Sequence, residues 1–269
     1  MRKGIVFLAF DNKTVDYVLL AEKAAARVKR YLGEDIETAI ITNSEYRLKC
    51  DHQIHLECPP GSQRTYRDAD KGISDMFYNS NRARAYELSP FDETIVIDSD
   101  YILQTDRLNS LWGSRNEVML GLDALRVDGL PMEPAEIRLS DTGPRMYWAT
   151  VTYFKKCELA STFFAMVEHV AENWDYYTIV YGLPSKIFRN DYAFSIATHV
   201  INGHGVGDLI KPIPFKLFTV TDRDKIHSFG DGITFLVNDR DERWKHHLVK
   251  VRTDVHCMNK YSMMEFACQ

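Results

Sequence analysis

Asp98-Ser99-Asp100 sets two carboxylates two residues apart, directly after Thr94–Ile97, where Ile95, Val96 and Ile97 stand in succession. In an extended chain, residues two apart project to the same side. Two acids so placed suit one hard divalent cation, Mg2+ or Mn2+, which takes oxygen ligands and often bridges to substrate phosphates. An Asp-x-Asp is also what a solvated turn with a helix-capping aspartate looks like. The apolar strand leading into this one shifts the balance toward a site, because open α/β sheets bind ligands where central strands leave the sheet.

A second stretch, Asp254-Val255-His256-Cys257-Met258-Asn259-Lys260, follows the last expected strand. An imidazole can complete the shell of a borderline metal, and a lysine can neutralise a phosphate as a point charge. His246-His247, by contrast, reads as a solvated pair between strands. Asp191 falls in the first turn of an expected helix, where the helix dipole favours a carboxylate. It is either a helix-end residue alone or a general base facing an acceptor hydroxyl, with Arg189 beside it. Arg64, Arg67 and Lys71 lie on an expected loop after Cys58-Pro59-Pro60-Gly61. They either contact nucleotide phosphates or form an ordinary solvated loop. Arg240, Arg243, Lys245, Lys250, Arg252 and Lys260, with Trp244 among them, outnumber Asp241, Glu242 and Asp254. That segment is either an exposed hairpin or a face able to lie along a DNA backbone.

The elements that must position these residues alternate. Lys3–Phe10 reads as a first strand. Val18, Ala21, Ala25, Val28 and Leu32 make a helix stripe over 14–32, with Asn12 or Thr14 as cap and Gly33 as stop. Ile36–Thr42 and Gln53–Leu56 give two further strands, so a βαβ unit and a parallel sheet are expected. A helix is expected from Gly72 to Leu88, ended by Pro90. Asp106 caps a short helix, and Val118–Leu122 is a strand. Gly129–Pro144 is a candidate mobile loop, or else the boundary between a donor and an acceptor half. Tyr147–Phe154 is a strand rich in aromatic and β-branched residues. Helices follow at 160–173 and 174–181, then at Asn190–Asn202, whose apolar face is Ala193, Ile196, Ala197, Val200 and Ile201. The last strands are Ile213–Val220, Ile233–Val237 and Leu248–Arg252.

With 269 residues, 45% of them apolar and 12% aromatic, the chain has ample material for one packed α/β domain. A net charge of −5 argues mildly against indiscriminate nucleic-acid binding. Five cysteines without a C-x-x-C pair suggest reduced thiols and a cytoplasmic setting. The apolar run after Arg2 and Lys3 stops at Asp11, so a buried strand is expected there rather than a signal peptide. No apolar run reaches membrane-spanning length, and no membrane partner is expected.

Taken together, Asp98-Ser99-Asp100 after a buried strand, with His256 and Lys260 near the end, resembles the GT-A-fold glycosyltransferases. The wording of SPFDETIVIDSDYIL and of RNDYAFSIA is similar to small bacteriophage-encoded proteins of that kind, some of which transfer a sugar to hydroxymethylated bases in DNA. The resemblance implies a GT-A, Rossmann-like α/β fold: a single domain with a mostly parallel central sheet flanked by helices. Within it, residues 1–103 would form the donor half and 104–269 the acceptor half. It implies a nucleotide-diphosphate sugar as donor, foremost a UDP-sugar, and Mn2+ or Mg2+ held by Asp98, Asp100 and His256. Asp98 would also touch the donor, and Lys260 would hold its diphosphate. Such enzymes bind the nucleotide base at the end of the first strand, where Phe10 and Asp11 stand here. The HxxGxxK ending of the family is not present: Asn259 and Lys260 stand third and fourth after His256.

Two rivals share these residues. A nucleotidyltransferase would use the same layout, but normally carries a glycine-rich phosphate loop after the first strand, where this chain has Asp11-Asn12-Lys13-Thr14. A non-catalytic nucleotide-sugar binding module would keep the fold without turnover. A glycan or a protein is an alternative acceptor to DNA.

Overall fold

The computed structural model describes every residue except 69–70, 134–136, 142, 206–207, 243 and 268–269. The chain opens with β1 (Lys3–Leu8), whose last five residues are buried. The long helix α1 (Tyr17–Leu32) follows; Asp16 caps it, accepting from the Leu19 amide at 2.7 Å. Asn12 instead closes the preceding turn, accepting from the amides of Thr14 and Val15. The α1 stripe of Val18, Ala21, Ala25, Val28 and Leu32 packs on the sheet, and Gly33 ends the helix at φ 120°. Next come β2 (Glu37–Thr42) and β3 (His52–His55), each parallel to its predecessor in the sheet.

The expected helix from Gly72 is replaced by a hairpin, β4 (Ser62–Asp68) and β5 (Lys71–Phe77), paired from Ser62↔Phe77 to Asp68↔Lys71. Its cause is a period of two. Arg64, Tyr66 and Asp68 turn inward while Gln63, Thr65 and Arg67 are exposed. Helical structure begins only at Asn79 and ends in α2 (Ala85–Leu88).

Every residue of β6 (Glu93–Ile97) is buried. It lies between β1, parallel to it, and β10 (Trp148–Lys155), antiparallel to it. Between β6 and β10 the chain forms β7 (Tyr101–Ile102), β8 (Val118–Gly121) and β9 (Ala124–Arg126). The turn before β8 starts at Asp106, whose side chain makes no capping bond. Three helices cover the next stretch: α3 (Glu158–Glu172), α4 (Trp174–Val180) and α5 (Asn190–Ile201). After the short β11 (Lys211–Pro212) come β12 (Leu217–Val220), β13 (Lys225–Gly230), β14 (Gly232–Asn238) and β15 (His246–Val251). His246 and His247 are part of β15, not a loop pair. The chain then makes β16 (Val255–Cys257) and α6 (Lys260–Ala267).

The central sheet runs β11-β8-β10-β6-β1-β2-β3, with β10 antiparallel to both neighbours and the other pairs parallel. This is the mixed α/β, mostly parallel architecture expected. A smaller sheet, β7-β16-β12-β9, lies alongside. The third sheet, β13-β14-β15, has its own apolar cluster around Ile226, Ile233, Phe235 and Val251. His256 therefore sits on a strand, β16, rather than in a tail beyond the last one. Its pairing with β7 (His256↔Tyr101) is what carries the end of the chain back to the end of β6. No helix among the described residues is long and apolar enough to cross a membrane.

Candidate functional site

Asp98, Ser99 and Asp100 occupy the turn from β6 into β7. The Asp98 amide donates to Thr150 O on β10, Tyr101 N to Asp98 O, and Cys257 N to Asp100 O. Backbone bonds thus fix both carboxylates against β10 and β16.

Each carboxylate has one oxygen engaged by a cation and one left over. Arg82 Nη1 donates to Asp98 Oδ1 at 2.5 Å, while Nη2 holds the Ala149 carbonyl at 2.6 Å. Arg82 is only 1% exposed. Lys260 Nζ stands 2.7 Å from Asp100 Oδ2. The remaining oxygens face one imidazole nitrogen: His256 Nε2 is 3.8 Å from Asp98 Oδ2 and 3.5 Å from Asp100 Oδ1. The other ring nitrogen, Nδ1, lies 3.5 Å from the Thr150 hydroxyl, so the ring is held with Nε2 toward the acids.

Charge dominates burial here. Burial alone would raise Asp100, yet the Lys260 ammonium and the His256 imidazole hold its carboxyl well below the usual range. Burial alone would lower His256 and Lys260, yet Asp100 carries both above their ordinary values. Asp98, Asp100 and His256 can each present a donor atom such that all lie within 4.8 Å of one another. Two carboxylate oxygens and an imidazole nitrogen at that spacing fit a cation of the Mg2+ or Mn2+ kind, with sites left for substrate oxygens.

The donor cluster forms one wall of a cavity of about 270 Å³. The β4–β5 hairpin forms another wall. Arg64 lies over the Phe77 ring at 3.6 Å and donates to the Phe188 carbonyl. Burial, with Arg189 nearby, pushes the Arg64 guanidinium down to about 10. Asp191, in the first turn of α5, lines the same cavity. Its Oδ1 accepts from the Ala149 amide at 3.0 Å, and Oδ2 is 3.3 Å from Arg189 Nη2.

Asp98, Asp100, His256, Lys260, Asp191, Arg64, Arg67 and the buried Phe10 are thus brought to one cavity. Asp11 and Lys71 are not among its walls. Asp11 accepts from the Val18 amide at the start of α1, and burial raises its pKa. Lys71 is exposed at the closed end of the hairpin, on a strand rather than a loop. The basic C-terminal stretch is largely neutralised. Arg240 pairs with Glu133, Lys245 with Glu242, and both Lys250 and Arg252 with Asp231. Trp244 is 75% exposed, and Arg243 lies outside the described residues.

Sequence reasoning missed Arg82, Asp222 and Trp148, all cavity residues. Burial raises the Asp222 pKa, against the pull of Arg67 and Lys260. Trp148 was signalled only by the aromatic run of β10. Arg82 carried no signal, because Asn-Arg-Ala-Arg reads as an exposed helix face.

No protein-family model matches the sequence, and no curated protein does. Among solved structures, the glycosyltransferase GlyE of Streptococcus pneumoniae TIGR4 is similar at 11% identity and a TM-score of 0.44, over 80% of this chain and 45% of GlyE. The galactosyltransferase LgtC, solved with donor and acceptor sugar analogs, is similar at 15% identity and a TM-score of 0.45, over 78% of this chain and 72% of LgtC. This chain therefore spans less than half the length of GlyE. Likeness at this level assigns neither family nor activity.

Proposed function

We propose that this protein is a metal-dependent glycosyltransferase that moves a sugar from a nucleoside-diphosphate sugar, foremost a UDP-sugar, to an acceptor hydroxyl. One observation carries the reading: Asp98 Oδ2, Asp100 Oδ1 and His256 Nε2 converge while Arg82 and Lys260 engage the other carboxylate oxygens. In the proposed reaction the bond from the sugar's anomeric carbon to the β-phosphate oxygen breaks. The diphosphate leaves with the electron pair, and a new bond forms to the acceptor oxygen. A divalent cation on these three donors would bind the diphosphate oxygens and offset the charge that develops there.

The chain's own residues supply the rest. Lys260 has its ammonium beside the cluster and is drawn to phosphate as well as to Asp100, adding positive charge where the leaving group forms. Arg64 and Arg67, on β4, reach the same cavity and are available to the donor's phosphates. Asp191 accepts the acceptor's hydroxyl proton, and its bond from the Ala149 amide fixes the carboxylate while it does so. In this reading residues 1–103 bind the donor and 104–269 the acceptor, except that His256 and Lys260 cross over to complete the donor side.

The acceptor in this proposal is a hydroxymethylated pyrimidine of phage DNA. Its support is the resemblance of SPFDETIVIDSDYIL and RNDYAFSIA to bacteriophage proteins. The ion-paired C-terminal hairpin adds little to it, and a duplex base would have to be flipped out to reach Asp191.

The test is a thermal-shift series of nucleoside-diphosphate sugars with Mn2+ and with chelator, since a ligand of the folded state raises the melting temperature by mass action. Metal-dependent stabilisation that vanishes in Asp100→Ala is expected. Stabilisation by nucleoside triphosphates in preference to diphosphate sugars would favour a nucleotidyltransferase. Diphosphate-sugar binding without slow release of free nucleoside diphosphate would favour a binding module.

A further inference from the structure

A second cavity, also about 270 Å³, lies on the far side of the Asp98–Asp100 turn, between α1, β7, β13 and α6. Ser99 lines both cavities, but neither Asp98 nor Asp100 reaches this one. Its walls are apolar: Leu20 and Ala24 from α1, Tyr101 and Ile102 from β7, Ile226 from β13 and Met263 from α6. At its edge the rings of Phe229 and Phe266 meet at 5.3 Å, and Phe229 is left 41% exposed.

The mouth has one sign of charge. Lys23, Arg27 and Arg30 fall on successive turns of α1 and all border the cavity, and no Asp or Glu among the described residues lines it. Among the described residues, none of the three has a carboxylate within 4.0 Å, whereas Arg82, Arg126, Arg189, Arg240 and Lys260, which line the other two cavities, each face one. Arg27 is partly buried; it donates to the Leu103 carbonyl at 3.0 Å and stacks over Phe229 at 5.4 Å. Burial lowers its pKa, against the Tyr31 hydroxyl, which raises it, and with a smaller push downward from Arg30. Three neighbouring cations with no carboxylate among them make the potential at this mouth positive, and an anion there would gain charge-assisted hydrogen bonds.

We propose that this cavity binds an amphiphile with one alkyl chain and an anionic head, the chain lying against Leu20, Ile102, Ile226 and Met263 and the head meeting Lys23, Arg27 and Arg30. Apolar walls account for the chain, and a cationic rim free of acids accounts for the sign of the head. The site is separate from the proposed sugar-transfer chemistry and does not depend on it.

The test is calorimetric titration of the full chain with hexanoate, octanoate and decanoate below their micellar concentrations, with decyltrimethylammonium as the cationic control. Variants are Lys23→Gln/Arg30→Gln, at exposed positions that leave the core intact, and Arg27→Gln. One molecule per chain is expected, with affinity rising about fourfold per methylene. The cationic control should bind at least about tenfold more weakly, and the double variant should lose about tenfold for decanoate. Three results would overturn the proposal: affinity independent of chain length, equal binding of decyltrimethylammonium, or wild-type decanoate affinity in both variants.

Discussion

His256 Nε2 stands 3.5 Å from Asp100 Oδ1, although Asp100 follows β6 and His256 sits on β16 near the end of the chain. The pairing of β16 with β7 and the bond from Cys257 N to Asp100 O produce this closeness. It is a backbone-determined distance, so the imidazole and the carboxylate meet wherever the two strands pair.

Arg82 is the buried support of Asp98. Replacing it by Met removes a cation that is almost fully buried, leaves Asp98 Oδ1 without its donor and leaves the Ala149 carbonyl with the Thr152 hydroxyl alone. Asp98 is about a quarter exposed, so the cost belongs near the low end for a broken buried pair, about 3 kcal/mol. For a chain of this size the melting temperature should drop by roughly 5 °C. Differential scanning calorimetry of Arg82→Met checks it; an unchanged melting temperature would mean that the Arg82 contacts contribute nothing.

Thr150 is buried, and its hydroxyl faces His256 Nδ1 while its backbone carbonyl takes the Asp98 amide. Thr150→Val keeps shape and backbone and removes only the hydroxyl. Mn2+ affinity should weaken by about tenfold, the scale of outer-shell losses at metal sites. Titration of both proteins with Mn2+ in the presence of a nucleoside diphosphate measures it, and equal affinities would show that the ring needs no help from Thr150.

Asp191→Asn separates charge from structure. Asparagine retains an acceptor for the Ala149 amide but cannot take a proton at neutral pH. Turnover should fall by about 10²–10⁴-fold, while donor KM and melting temperature stay near those of the parent. A loss of stability with turnover intact would return Asp191 to a helix-end role.

Much of this was legible before any coordinates. The break from Ile95-Val96-Ile97 to Asp98-Ser99-Asp100 marks the end of a buried strand, and α1 and α5 announce themselves by apolar spacing. The hairpin at 62–77 was not legible, because its inward face is Arg64, Tyr66 and Asp68. An alternation of polar with polar leaves no hydrophobic trace; Arg64 and Tyr66 turn to the cavity, and Asp68 pairs with Lys225 and accepts from Asn259. Arg82 was hidden for the same reason. A buried arginine is identified by its partners, Asp98 and the Ala149 carbonyl, and those are set by tertiary structure. His256 was read as a residue beyond the last strand because three residues, Val255–Cys257, are too few to show a period.

The central claim is that Asp98, Asp100 and His256 together hold a divalent cation. The most direct measurement is anomalous diffraction from crystals grown with Mn2+ and UDP. The account predicts one strong manganese peak at about 2.1–2.3 Å from Asp98 Oδ2, Asp100 Oδ1 and His256 Nε2, with diphosphate oxygens on its open side. A nucleotide seated in the cavity with no manganese between these three atoms, and Lys260 still closed on Asp100, would contradict it.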